Sequence, residues 1–247
     1  MGKNPSEYTI LVITTICMAI TMSLNFNEVD ASDPPPLQDF CVGIEDPKSA
    51  VFVNGLICKN PKKVTTQDFL FKGFNETGDT NNLLHINATL IDVERLPSLN
   101  TQGVAIAHID YGPFGLNTPH HHPRSSEIFA VLTGTLYAGF ITSDYQLFSV
   151  VLNPGDLFVF PQGLLHFQYN LKKSKARAIA AFGSQHPGRV NSAQGLFGTK
   201  PAILDDVLTK AYQVDDEVIQ KLRAQFSRSL NNEVHIGRSG NNFVKDV

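Results

Sequence analysis

The 247-residue chain has no tryptophan, only three methionines and only three cysteines. Bulky packing must therefore come from seventeen phenylalanines and from the aliphatic side chains within an apolar fraction of 42%. That content supports one sizeable core or two small ones. Charge is also scarce, at 17% of residues with a net value of -3 and no dense basic run. A nucleic-acid partner is excluded on that ground.

One long apolar run is present, and it lies at the start. Lys3 is followed by "YTILVITTICMAITMSL", Tyr8 to Leu24, which carries no charge, and then by the polar stretch "NEVDA". This pattern is that of a secretory signal peptide over 1–31, cut after Ala31, where Val29 and Ala31 are the small residues before the cut. A membrane anchor is the rival reading, but a 17-residue run with four threonines is short for a span of about 20. On the first reading the mature chain keeps no membrane span, and export takes it to the extracellular space.

Cysteine usage agrees with export. Cys17 leaves with the signal peptide, and Cys41 and Cys58 remain as an even pair. A disulfide between them would stabilise the N-terminal segment by about 3 kcal/mol; two buried free thiols are the alternative. Two N-glycosylation sequons, Asn75-Glu-Thr77 and Asn87-Ala-Thr89, point the same way.

Residues 32–82 begin with "SDPPPLQDFC", an extended, proline-stiffened arm leading into the cysteine loop. From about Leu83 to residue 200 the pattern is one of short strands. "GVAIAHIDYG" alternates, with Val104, Ile106 and His108 on one face, and "IFAVLTGTLYAGF" gives two strands around Gly134. "YQLFSVVL" ends in the turn "NPGD", "LFVFPQGLLHFQYN" reads strand, turn, strand, and "KARAIAAFGS" adds another. Short strands separated by Gly and Pro predict an all-β sandwich or barrel. Residues 201–230 switch to helical spacing, with Ile203, Val207 and Leu208, then Val218, Leu222 and Phe226. These two amphipathic helices must cover their own barrel or a neighbouring subunit. The tail, 231–247, is polar.

Three of the eight histidines stand together in "NTPHHHPRSSEIFAV". On a strand His120 and His122 share a face and His121 takes the other. Glu127, five residues after His122, would face the wrong side of a straight strand. Pro123 and the "PRSS" stretch supply a bulge or a turn that brings it back. His166, in "PQGLLHF", is a fourth candidate. Three neutral imidazoles and one carboxylate suit Mn, Fe, Ni or Zn. With four protein donors, an octahedral ion keeps two positions for water or substrate. The competing reading is a solvated polar loop. His85, His108, His186 and His235 read as ordinary strand, loop and tail residues.

The segments "HHHPRSSEIFAVLTG" and "GDLFVFPQGLLHFQYN" resemble the two boxes of germin-like proteins, in the cupin superfamily. The first box is matched by His120, His122, Glu127 and Gly134. The second is matched by Gly155, Pro161, Gly163, His166 and Asn170. "DPPPLQDFCV", "SQHPG" and "VLTKAY" extend the likeness from about Asp33 to Leu230. The resemblance implies a jelly-roll β-barrel with C-terminal α-helices and a manganese cofactor held by His120, His122, Glu127 and His166. It also implies a Cys41–Cys58 disulfide, a glycosylated apoplastic or cell-wall product, and a homo-hexamer built as a trimer of dimers. Two positions depart from the family. Phe114-Gly115 stands where a glycine pair is usual. Ala107 stands where the oxalate-oxidising members carry an asparagine, while Asn117 matches their other substrate-site asparagine.

The expected function is superoxide dismutation at manganese, with Asn117 and Asn170 as candidates for orienting ligands or small anions. The alternative is a non-enzymatic cell-wall binding, receptor or storage role. Ala107 argues against oxalate oxidation, since a site built to hydrogen-bond a carboxylate loses much with one donor.

Overall fold

Strand and turn signals of the sequence become two five-stranded antiparallel sheets in a computed structural model, which describes residues 14, 42–44, 51–52 and 55–229. Apart from Thr14, the expected signal peptide lies outside the described residues, as do the proline-stiffened arm with Cys41 and the polar tail. The chain falls into two compact units, Met1–Ser32 and Asp33–Val247, and every strand among the described residues belongs to the second. Among the described residues, no helix is long and apolar enough to cross a membrane.

A short ribbon pairs β1 (Val51–Phe52) with β2 (Ile57–Cys58). Cys58 at its end is disulfide-bonded. The first large sheet contains β3 (Ile86–Ile91), β4 (Ala105–Tyr111), β6 (Glu127–Thr133), β9 (Leu157–Phe160) and β11 (Ala176–Phe182), in the order β3-β4-β11-β6-β9. The second contains β5 (Leu116–His121), β7 (Leu136–Ile141), β8 (Leu147–Leu152), β10 (Leu165–Asn170) and β12 (Val190–Asn191), in the order β12-β5-β10-β7-β8. Successive strands alternate between sheets along much of the chain, as a jelly roll requires.

The core lies between the sheets. Large side chains, Tyr111, Phe129, Leu136 and Phe160, are fully enclosed, and small ones, Ala105, Ala107, Ala178 and Ala180, give them room. Burying each large apolar side chain contributes roughly 2–3 kcal/mol. The inward face of β4 is Ala105, Ala107, Ile109 and Tyr111, so Ile106 and His108 lie on its outer face. His108 is nonetheless buried there, with Phe74 of the preceding loop 5.9 Å from it between ring centroids. Gly134 turns the chain between β6 and β7 at φ +82°, and a Cβ there would lie 2.4 Å from that of Ala176.

Among the described residues, three helices follow β12: α1 (Ser192–Phe197), α2 (Asp205–Tyr212) and α3 (Asp216–Ser229). They enclose a second, smaller core of Phe197, Leu208 and Ile219, flanked by Ile203, Val214, Leu222 and Phe226. Helical spacing identified most of this face, but Val207 and Val218 are exposed, and Ile219 is the enclosed member of its pair.

Candidate metal centre

His120 and His166 are direct cross-strand partners on β5 and β10. Both point into the space between the sheets, and their ring centroids are 4.3 Å apart. His122 follows the end of β5 and brings its ring edge-on to Phe182 at 4.8 Å. His121 faces the other way and is half-buried, as strand alternation predicts. Glu127 reaches the group by a different route from a bulge. The "PRSS" turn carries the chain out of one sheet, and Glu127 opens β6 in the opposite sheet, paired with Phe160 and Phe182. Its odd offset is therefore immaterial, because the two strands do not share a face.

The second box is tied to the first by backbone. The Gly163 N–H donates to His122 O at 3.1 Å, and Gln162 Nε2 donates to Pro123 O at 3.0 Å. Gly163 has φ +75°, which its turn from β9 into β10 demands. That turn sets His166 opposite His120, where it also stacks on Phe160 at 4.5 Å.

All four side chains are buried, and one donor atom from each lies within 4.8 Å of the others. Hydrogen bonds fix which atoms face inward. His120 Nδ1 lies 2.8 Å from Thr118 O, His166 Nδ1 lies 2.8 Å from Leu164 O, and His122 Nδ1 is hydrogen-bonded to Gly188 O. A carbonyl oxygen only accepts, so each Nδ1 carries the proton. Each ring then turns its Nε2 to the centre. Glu127 Oε2 sits 3.2 Å from both His122 Nε2 and His166 Nε2.

The electrostatics agree. Burial, the Arg189 charge and the neighbouring imidazoles hold His120 well below the ordinary histidine value, so it is neutral. Burial alone would raise the Glu127 carboxyl, but hydrogen bonding to His122 and His166 outweighs it and brings its pKa down to about 2. A buried carboxylate and three inward imidazole nitrogens within reach of one another form a group that could hold a shared cation. Three nitrogens and one carboxylate oxygen are a fitting donor set for a first-row divalent ion.

A polar chain lies beside the cluster. Arg189 Nη2 donates to Asn117 Oδ1 at 2.7 Å, and Asn117 Nδ2 donates to Gln168 Oε1 at 2.6 Å. The Tyr111 hydroxyl, 3.4 Å away, donates to the same Gln168 oxygen. Burial and the Glu127 charge push the Tyr111 phenol well above its ordinary value, which keeps it a donor. Asn117 lines the cavity over the cluster together with Arg189. Asn170 does not reach it. At the far end of β10, Asn170 Nδ2 donates to Gly112 O at 2.7 Å and to Ser174 O at 2.8 Å, and its Oδ1 accepts from the Lys172 N–H at 3.1 Å. Tyr111, Gln168 and Arg189 escaped the sequence reading. Inward alternation with His166 was the available signal for Gln168; nothing local marked the other two.

Known proteins resemble both the sequence and the fold. Residues 72–220 match the family model described as Cupin. Germin-like protein subfamily 1 member 17 of Arabidopsis thaliana is 48% identical over 210 residues, covering 84% of this chain and 95% of that protein. Germin-like protein 8-2 of Oryza sativa subsp. japonica is 55% identical over 201 residues, covering 79% and 90%. Among solved structures, an oxalate oxidase in complex with the substrate analogue glycolate superimposes with a TM-score of 0.75 at 39% identity, covering 80% of this chain and 99% of that one. On the sequence match and on the shared architecture, the chain belongs to the germin-like proteins of the cupin family.

Proposed function

We propose that the protein is a secreted manganese-binding germin-like protein that dismutes superoxide, with His120, His122, Glu127 and His166 holding the metal. One observation carries this reading. Three imidazoles, each held by its Nδ1 on a backbone carbonyl, aim their Nε2 atoms at a point shared with an ionised, buried carboxylate. Bound manganese would supply a one-electron couple between its divalent and trivalent states. Two superoxide anions and two protons then give one dioxygen and one hydrogen peroxide. The protein's part is to hold the donors in one tautomer, to shield the centre behind Phe160 and Phe182, and to keep Glu127 ionised.

Further features support the setting. A disulfide at Cys58 fits an oxidising compartment, and Asn75 of the first sequon is exposed. Assembly as a hexamer is supported by the edge strands, where Leu147, Phe148, Val150 and Val151 of β8 and Leu157 and Val159 of β9 are exposed. That much apolar surface on one chain calls for a partner.

Oxalate oxidation is the weaker reading. Ala107 offers that wall of the cavity no donor, and the Asn117 amide N–H group is turned onto Gln168. A non-enzymatic cell-wall role would use the same metal group. The deciding experiment measures manganese content and, on the same loaded protein, turnover of superoxide and of oxalate. About one manganese per chain with superoxide turnover is expected. A loaded protein that turns over neither would overturn the dismutase reading in favour of the binding role.

A further inference from the structure

We infer that Asp92 and Arg124 are positioning residues for His122. From opposite sides they fix the segment 184–189, whose Gly188 carbonyl decides which His122 nitrogen faces the centre of the His120–His122–Glu127–His166 group. The inference rests on that group holding a metal, as proposed above, and adds the device that sets one of its donors.

His122 is the imidazole that its own strand does not orient. His120 and His166 use carbonyls two positions away in the chain, Thr118 O and Leu164 O. Strand β5 ends at His121, and His122 Nδ1 finds its acceptor, Gly188 O, 66 positions along the chain. Other neighbours of the ring do not make the same choice. Phe182 packs edge-on at 4.8 Å, a contact that a flipped ring would also satisfy. Glu127 Oε2, 3.2 Å from His122 Nε2, is an acceptor that would draw the proton to the wrong nitrogen. Gly188 O must therefore compete with a carboxylate, and only a carbonyl held in place does so.

The segment that carries this carbonyl contains the "SQHPG" stretch and is gripped on two flanks. Directly after β3, the Val93 N–H donates to Gln185 O at 3.0 Å, and His186 Nδ1 donates to Asp92 Oδ2 at 3.0 Å. Asp92 is buried, and its Oδ1 accepts from the Glu94 N–H at 3.1 Å, so this carboxylate is a fixed anchor. On the other flank, in the turn between β5 and β6, Arg124 Nε donates to His186 O at 2.8 Å and the Arg124 N–H donates to Pro187 O at 3.2 Å. Pro187 is fully buried, and a Cβ on Gly188 would fall 2.7 Å from Arg124 Nη2, so the guanidinium lies against the glycine itself. Neither Asp92 nor Arg124 belongs to the four-donor group, yet each holds the residues that aim the Gly188 carbonyl.

The test measures manganese release into excess chelator from the full-length, manganese-loaded protein. The paramagnetic resonance spectrum of the bound ion and the melting temperature of the metal-free form are read on the same samples. Asp92→Ala and Arg124→Ala should each release manganese about tenfold faster than wild type and alter the spectrum. Arg124→Lys, which keeps a donor for His186 O, should recover part of that loss; Arg124 is exposed, so its variants fold. Asn170→Ala is the control for general loosening, and should melt earlier without releasing metal faster. Wild-type release from both Asp92→Ala and Arg124→Ala, or release from Asn170→Ala as fast as from Asp92→Ala, would overturn the inference.

A second readout needs no metal. Imidazole-nitrogen magnetic resonance of the metal-free protein distinguishes the Nδ1–H from the Nε2–H form, and the His122 signal is identified by its loss in His122→Gln. His122 should be in the Nδ1–H form in wild type and should gain the Nε2–H form in both alanine variants. That result in a protein that takes up no manganese upholds the positioning role and overturns the metal reading. Manganese uptake with an unchanged His122 form in both variants does the reverse.

Discussion

His166 lies directly across the strand pair from His120, although 46 positions separate them in sequence. This register is what turns two distant imidazoles into one site. Replacing His166 with Ala removes one of the four donors and leaves Glu127 with only His122 beside its Oε2. The expected outcome is loss of at least nine-tenths of the bound metal and of the thermal stabilisation that metal loading gives the wild type. His121→Ala is the control, because His121 faces away from the group; its metal content should match wild type. Elemental analysis and melting curves with and without added manganese check both, and metal-replete His166→Ala protein would refute the ligand assignment.

Much of this was legible in the sequence, and the reason is local. The alternation of His120 and His122, the Gly163 turn before His166 and the Gly134 break between two strands are properties of a few neighbouring residues. What was not legible depends on which sheet a strand joins. Glu127 looked misplaced on a continued strand, yet it sits correctly because β6 belongs to the facing sheet. The alternation of β4 was visible, but not that its alanines, rather than Ile106 and His108, face inward. Phe129 and Phe160 of neighbouring strands in the same sheet fill the space between the sheets, and the loop around Phe74 covers His108 from outside. Arg189 meets Asn117 across 72 positions, and no periodicity reports that.

The two sequons differ structurally, and glycosylation should follow the difference. Asn75 is exposed in a turn. Asn87 is half-buried within β3, and its side chain sits so close over Gly78 that a Cβ there would be 2.1 Å from Asn87 Oδ1. A glycan at Asn87 would have to displace that loop. Peptide mass spectrometry of protein from a eukaryotic secretory host should find Asn75 largely occupied and Asn87 largely bare. Full occupancy of Asn87 would show that the loop around Gly78 closes only after modification.

Stability in acid should depend on Asp68. Burial opposes ionisation of this carboxylate. The Lys59 ammonium at 2.7 Å and the Thr65 N–H at 2.7 Å outweigh burial and lower its pKa below the ordinary 3.8. A carboxylate depressed in the folded state stabilises the fold above its unfolded pKa, and the contribution is lost as the pH falls through the folded value. Asp68→Asn should therefore cost about 1 kcal/mol at neutral pH, and the difference from wild type should shrink below pH 3.8. Urea melts at a series of pH values read this directly; a gap that widens in acid would reverse the assigned sign.

Asn170 gives the clearest separation of a structural role from a site role. It is fully buried at the end of β10, and its amide makes three hydrogen bonds, to Gly112 O, Ser174 O and the Lys172 N–H. These join the loop after β4 to the turn that leads into β11. Replacing Asn170 with Ala opens a small void and strands two carbonyls that its amide had satisfied. The expected cost is about 3 kcal/mol. Because His166 is held by Leu164 O and by stacking on Phe160, neither of which touches Asn170, the metal content of the folded variant should equal that of wild type. Chemical denaturation paired with elemental analysis tests both halves together. A variant that keeps its stability but loses metal would place Asn170 in the service of the metal centre and contradict the geometry.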